Sequence, residues 1–219
     1  MTPSKDSSAR PPLTKGRVLQ AAVDLADREG LGALTMRRLG AELGVEAMSL
    51  YKHVVNKEEI LDGIVELVIA EIEIPSERVA WKEAMKRRAL SARDVFSRHS
   101  WAVGLLGARD SLGPDALRYL DAILGNLRSA GFSIENAAHA FWLLDCYVYG
   151  QVIQETNLPF STSREMTELG GSILEQITTN EYPHLVEIGE HAMRTEYSFD
   201  NEFEFGLDLI LDALDQTAT

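Results

Sequence analysis

The chain has 219 residues, one cysteine, and 21 Lys/Arg against 34 Asp/Glu, for a net charge of −13. Its length suits one domain with a large core or two modest ones, and no apolar run approaches the roughly 20 residues that span a bilayer, so a cytoplasmic protein with no membrane partner is expected. The lone Cys146 excludes an internal disulfide framework and a zinc ribbon. The charge is unevenly placed: residues 1–62 hold nine basic and nine acidic side chains, whereas 63–219 hold 12 and 25. An acidic body of this kind disfavours a polyanion everywhere except at the neutral N-terminal part.

Residues 1–12, polar and with prolines at 3, 11 and 12, read as a disordered tail whose Lys5 and Arg10 are available to a minor groove. Thr14 caps a first helix that runs to a stop at Gly30. Thr35 caps a second, with Leu34 placed to staple onto Leu39 and Gly44 as the left-handed stop. A third follows from about Glu46 to Lys52 and buries Leu50. Asn56 with Glu59 has the spacing of a capping box, and Val55 with Ile60 that of its staple, so a fourth helix begins there and continues to Pro75. Two short helices around a glycine turn fit a helix-turn-helix, in which the second enters the major groove; an ordinary helical hairpin fits the same pattern.

Beyond Pro75 apolar residues keep returning at intervals of three and four, so the body is expected to be all-α. Trp81 to Phe96 forms one helix, and Gly113-Pro114 opens another that ends at Gly131. Ser133 with Asn136 begins the most apolar helix, through Glu155, which is expected to be buried on every side. After a loop from Asn157 to Ser163 comes a weaker helix from about Arg164, interrupted at Gly170-Gly171. Residues 178–200 have no clear assignment, and Asn201 with Glu204 opens the last helix. His184, Glu187 and His191 are too loosely spaced to predict a metal site, and no cofactor is expected. There is no phosphate-binding glycine motif, HExxH or nucleophile elbow, so no enzyme is expected.

The run TMRRLGAELGVEAMSLYKHVVNKEEILDGI, and within it Leu50-Tyr51-x-His53-Val54-x-Asn56-Lys57, resembles the signature of the tetracycline repressor (TetR) family of bacterial regulators. The stretch from Gly131 to Glu155 resembles a core helix of the same family, so the likeness covers about residues 14–155. It implies a helix-turn-helix DNA-binding domain at 13–62 and a helical ligand-binding and dimerisation domain at 63–219. DNA contacts are expected from Thr35, Met36 and Arg37 on one helix, from Ala47, Met48, Ser49, Tyr51, Lys52 and His53 on the next, and from Lys57. The expected partners are double-stranded operator DNA, a second copy of the chain in a homodimer, and a small-molecule effector that releases the repressor. An all-helical enzyme or carrier using the same cavity is the alternative. The resemblance places the Ser133 and Asn201 helices in a four-helix bundle across the two-fold axis. Where tetracycline-binding members carry a magnesium-holding histidine this chain has Leu105, and a polar drug-contacting position matches Ile123, so tetracycline is not the expected effector. Ala138, Phe141, Trp142 and Asp145, with Trp101, Leu105 and Ile123, are the expected ligand contacts. Aromatic walls around one carboxylate suit a flat or bulky ligand with a cationic or hydroxyl group. Core packing with Asp145 at the dimer interface fits those residues equally well.

Overall fold

Three of the first four α-helices begin where a side-chain oxygen takes over an orphan backbone donor. The computed structural model describes residues 12–76, 78–107, 112–160, 162–177, 181–195 and 198–217, and among them every regular element is helical. The proposed minor-groove contacts of Lys5 and Arg10 therefore lie outside the described residues. Helix α1 (Lys15–Glu29) starts at Thr14, whose hydroxyl accepts from the Arg17 amide, and ends at Gly30 with φ 77°. A short 3-10 turn (Leu31–Ala33) leads to Thr35, the cap of α2 (Met36–Leu43). Gly44 stops α2 at φ 68°, and the Val45 amide donates back to the Gly40 carbonyl. Helix α3 (Ala47–Leu50) is shorter than expected, because a turn over residues 51–53 is closed by the His53 and Val54 amides donating to the Leu50 carbonyl.

Helix α4 (Lys57–Ala70) begins at Asn56, whose side chain accepts from the Glu59 amide. Glu59 reaches back one residue further than a capping box requires, to the Val55 amide, and Val55 is 76% exposed, so the expected staple to Ile60 does not form. The helix also ends before Pro75. Proline bars its predecessor Ile74 from helical geometry, and the Glu73 amide is already taken by the Ser91 hydroxyl.

The remaining helices are α5 (Trp81–Arg98), α6 (Trp101–Leu106), α7 (Pro114–Ser129), α8 (Ile134–Asn157), α9 (Ser163–Leu174), α10 (Pro183–Arg194) and α11 (Phe199–Asp215). Three of them depart from expectation. Helix α9 starts at a true capping box between Thr162 and Glu165 and runs unbroken through Gly170-Gly171. Gly171 lies against Met193, and a side chain at Gly189 would run into Leu174, so glycines let α9 and α10 approach closely. Helix α10 fills most of the segment that had no assignment. Helix α11 begins at Phe199 rather than after Asn201; Asp200 and Glu202 lie in its first turn, where carboxylates offset the helix dipole, and Phe199 stacks on Phe160.

Packing divides the chain into two compact units, Met1–Glu71 with Arg98–Arg118, and Ile72–Ser97 with Tyr119–Thr219. The first is built on a cluster of Val18, Ala22, Leu25, Leu34, Leu39, Leu50, Ile60 and Ile64, with Trp101 and Leu105 packed onto it. In the second, α8 and α11 pack through Tyr147, which stacks on Phe203 and donates to its carbonyl across Gly206. Helix α8 is not buried on every side within the chain. Ala137, Ala140, Leu144, Val148 and Val152 face inward, but Ala138, Trp142, Leu143, Cys146 and Ile153 are exposed.

Candidate functional site

In the first unit, the α2–α3 turn brings two helices unusually close. A methyl group at Gly40 would sit 2.9 Å from the Val45 carbonyl oxygen and 3.2 Å from the Ala47 amide, so only glycine permits this approach. The tight turn pins α3 by the fully buried Leu50 and turns its other residues outward: Met48 is 74% exposed, Tyr51 and Lys52 are exposed, and Ala47, Ser49 and His53 are partly so. Of the α2 candidates, Thr35 spends its hydroxyl on the Arg38 amide, Met36 packs partly onto the core cluster, and Arg37 is exposed.

The basic side chains of this unit fall into two groups. Arg38 is held by Glu29 and Glu42, Arg28 by Glu42, and Lys15 by Glu59. The Arg38 guanidinium holds the Glu29 carboxyl below its ordinary range, and the Lys15 ammonium, helped by the Val55 amide, does the same to Glu59. The side chains of Arg37, Lys52 and Lys57 are exposed and make no ion pair or hydrogen bond among the described residues. A cation without a protein partner keeps its full charge available to a phosphate, so this edge can bind a polyanion without first breaking a bond.

Around His99 the same unit is tightly cross-linked. His99 Nδ1 lies 2.8 Å from Asp27 of α1, whose Oδ1 also accepts from Trp101 Nε1 at 2.6 Å. Glu66 of α4 accepts from the Asp115 and Ala116 amides at 2.8 and 3.3 Å, capping α7 from a neighbouring helix.

Of the seven candidate ligand residues, two lie in the first unit and five in the second. Trp101 and Leu105 belong to the first unit, against its core. Ile123 is fully buried in the second unit, and Asp145 is buried there with Phe141 half-buried beside it. Ala138 and Trp142, also on α8, are exposed, Trp142 at 69%.

Asp145 instead anchors a polar centre of the second unit. Its Oδ1 accepts from Nη2 of Arg88 on α5, and its Oδ2 accepts from the Tyr149 hydroxyl at 3.0 Å. Arg88, 1% exposed, also donates Nε to the Tyr119 hydroxyl of α7 at 2.5 Å and lies over that ring. Burial pushes the Tyr119 hydroxyl up to about 12 and the Tyr149 hydroxyl further up, so both stay protonated; the tyrosine and carboxylate beside Arg88 hold it charged despite burial. Arg88 was not among the expected site residues. The signal lay in its spacing, since Met85, Arg88, Ala92 and Val95 occupy one buried stripe of α5, and a cation on such a stripe needs a partner.

Comparison with known proteins bears on both regions. The model described as bacterial regulatory proteins of the tetR family matches residues 18–64, and that described as the tetracyclin repressor-like C-terminal domain matches residues 74–218. The HTH-type transcriptional repressor DrrR1 of Streptomyces coeruleorubidus is 33% identical over 222 residues, covering 94% of this chain and 78% of that protein. ActR from Streptomyces coelicolor in its apo form is 31% identical at a TM-score of 0.76, over 96% of this chain and 98% of that one. ActR in complex with actinorhodin is similar at 33% identity and a TM-score of 0.75, over 95% and 99%. With both halves of the chain matched, it belongs to the TetR family of bacterial transcription regulators, whose task is regulation through DNA and not catalysis.

Proposed function

We propose that the chain is a homodimeric cytoplasmic repressor that holds a palindromic operator and is released by a small molecule bound in the second unit. The observation that carries this reading is the exposed, unpaired set Arg37, Lys52 and Lys57 beside the outward face of α3, in a chain otherwise strongly acidic. In this reading Arg37 reads base or phosphate, Tyr51, His53, Lys52 and Lys57 grip the backbone, and Ala47, Met48 and Ser49 face the groove floor. Residues 13–62 act as the DNA-binding domain.

Dimerisation is supported by the apolar surface left open on α8 and α11. Trp142, Leu143, Ile153, Phe205 and Leu209 are large apolar side chains left exposed on these two helices, whereas Phe203, Leu207 and Leu211 are already buried within the chain. Two reading helices on such a dimer must lie about 34 Å apart, one turn of DNA, or a multiple of it. In this reading the ligand acts by binding the released state better than the operator-bound one. Weakening operator binding ~100-fold in this way needs about 2.7 kcal/mol of preference for the released state.

A mobility shift with labelled DNA from upstream of the chain's own gene tests the reading. Wild-type protein should retard it at low salt and lose affinity steeply as salt rises. Leu209→Lys, which places a charge on the open α11 face, should sediment as a monomer and fail to retard it. No retardation by the wild type, or an unaltered dimer in the variant, would overturn the respective part of the proposal.

A further inference from the structure

Resting on the operator-binding reading above, we infer that Glu46, immediately before α3, is a specificity-determining residue that accepts from the N4 amino group of a cytosine in each operator half-site. Residues 13–62 carry eight carboxylates. Seven are engaged: Glu29 and Glu42 by arginines, Glu59 by Lys15, Asp27 by His99 and Trp101, Asp24 by Gln20, and Glu58 and Asp62 have partners as well. Glu46 is exposed, and its side chain neither caps α3 nor makes any ion pair or hydrogen bond among the described residues. Its backbone, by contrast, is fixed. The Val45 amide donates to the Gly40 carbonyl at 2.9 Å, the Glu46 carbonyl accepts from the Ser49 amide at 2.8 Å, and Gly40 lies tight against both Val45 and Ala47. A carboxylate without a partner is thus held on a rigid mount at the start of the helix that, in a helix-turn-helix, meets base edges with its N-terminal residues.

The chemistry of the major groove decides what such a group can meet. Phosphates repel it, so it weakens binding to DNA at large and brings a benefit only where a donor is waiting. An ionised carboxylate has no hydrogen to give. Guanine offers two acceptors to the groove, thymine an acceptor and a methyl group, and adenine an acceptor beside its amino group; cytosine alone offers a donor with no acceptor next to it. The first outward residues of α3 discriminate less. Ala47 and Met48 offer apolar contact, which suits a thymine methyl, and the Ser49 hydroxyl serves as donor or acceptor alike. Glu46 therefore supplies a polar discrimination that this turn otherwise lacks. A purely structural role is small, since α3 has four residues and little dipole for a carboxylate to offset.

Mobility shifts with the full-length protein test this, on DNA from upstream of the chain's own gene in which each base pair of one half-site and its symmetry mate is replaced in turn. Wild type should lose about tenfold or more in affinity when one particular C·G pair is replaced by any other. Glu46→Ala should cease to discriminate at that pair, keep its discrimination elsewhere, and bind unrelated DNA more tightly than wild type. Glu46→Gln presents an amide that matches the adenine edge, so at the same pair its preference should move from cytosine toward adenine. Thermal melts of both variants should match wild type, which separates base reading from a part in holding the fold. A cytosine preference that survives intact in both variants, or a loss of discrimination spread evenly over the half-site, would overturn the inference while leaving operator binding in place. Failure of the wild type to retard any of the upstream DNA would overturn the operator-binding reading itself.

Discussion

Two sets of cations in this chain show how burial changes what a positive charge can do. On the α2–α4 edge the Arg37, Lys52 and Lys57 side chains are exposed, with no partner among the described residues. In the second unit Arg88 is enclosed and held by a carboxylate and a phenol. Water solvates the first set, so leaving it unpaired carries little penalty, and its pairing with phosphates is governed by salt through counterion release. Desolvation makes the second untenable without Asp145. In the proposed reading a long polyanion is met by loose charges at the surface, whereas the enclosed charge is satisfied by groups of the chain itself.

Arg88→Met tests this contrast most severely. It leaves Asp145 buried without its cation and should destabilise the protein by about 3–5 kcal/mol, read as a fall in denaturation midpoint. Adding Asp145→Leu should restore most of that loss; no recovery would show that Arg88 stabilises by packing and not by charge.

The buried tyrosine gives a pH signature of the same enclosure. The Tyr119 hydroxyl is pushed up from 10.0 to about 12 in the folded chain, so the unfolded state loses its proton first. The stability it contributes is complete below pH 10 and disappears as pH rises to about 12, an effect of roughly 2–3 kcal/mol over that window. Melting curves of wild type should fall more steeply across this range than those of Tyr119→Phe; parallel curves would place the hydroxyl in water.

At the surface, the expected effects concern salt. Lys57→Ala should weaken binding to all sequences alike and lower the salt slope by about one, while Arg37→Ala should also relax sequence preference, with a loss of about 1–3 kcal/mol. Equal operator binding by both variants and wild type would remove this edge from the interface.

The smallest effect belongs to a cation of the same helix that is already paired. Arg38 is held by Glu29 and Glu42, so Arg38→Ala should leave the salt slope unchanged; a drop as large as for Lys57 would show that an ion pair does not withdraw a surface cation from DNA.

The helix starts at Thr14, Thr35, Asn56 and Ser133, and the stops at Gly30, Gly44 and Gly131, were legible residue by residue. Each is a transaction between a side chain and backbone groups three or four positions away, and short-range bonding of that kind is written in the order of residues. The outward residues of α3 were legible for the same reason, since Leu50 alone sets which way the short helix faces. Local pattern misled where a distant partner intervened. Gly170-Gly171 looked like a break but lies inside an unbroken α9, which packs against α10 through Leu174 and Gly189, and α4 ends at Ala70 because the next stretch is engaged by Ser91, 18 residues from Glu73.

What tertiary structure alone decided is the polar centre. Arg88 meets Tyr119 and Asp145 across 31 and 57 residues, and no spacing along the chain announces that encounter. It also decided which positions of α8 are covered, burying Asp145 and leaving Trp142 exposed, where burial on every side had been expected. The sequence by itself determined most of the helices, their order and which residues of α3 face outward, because caps, turns and apolar stripes act within a few residues. It could not determine the companions of a buried charge, because those are chosen only when helices remote in sequence pack and exclude water.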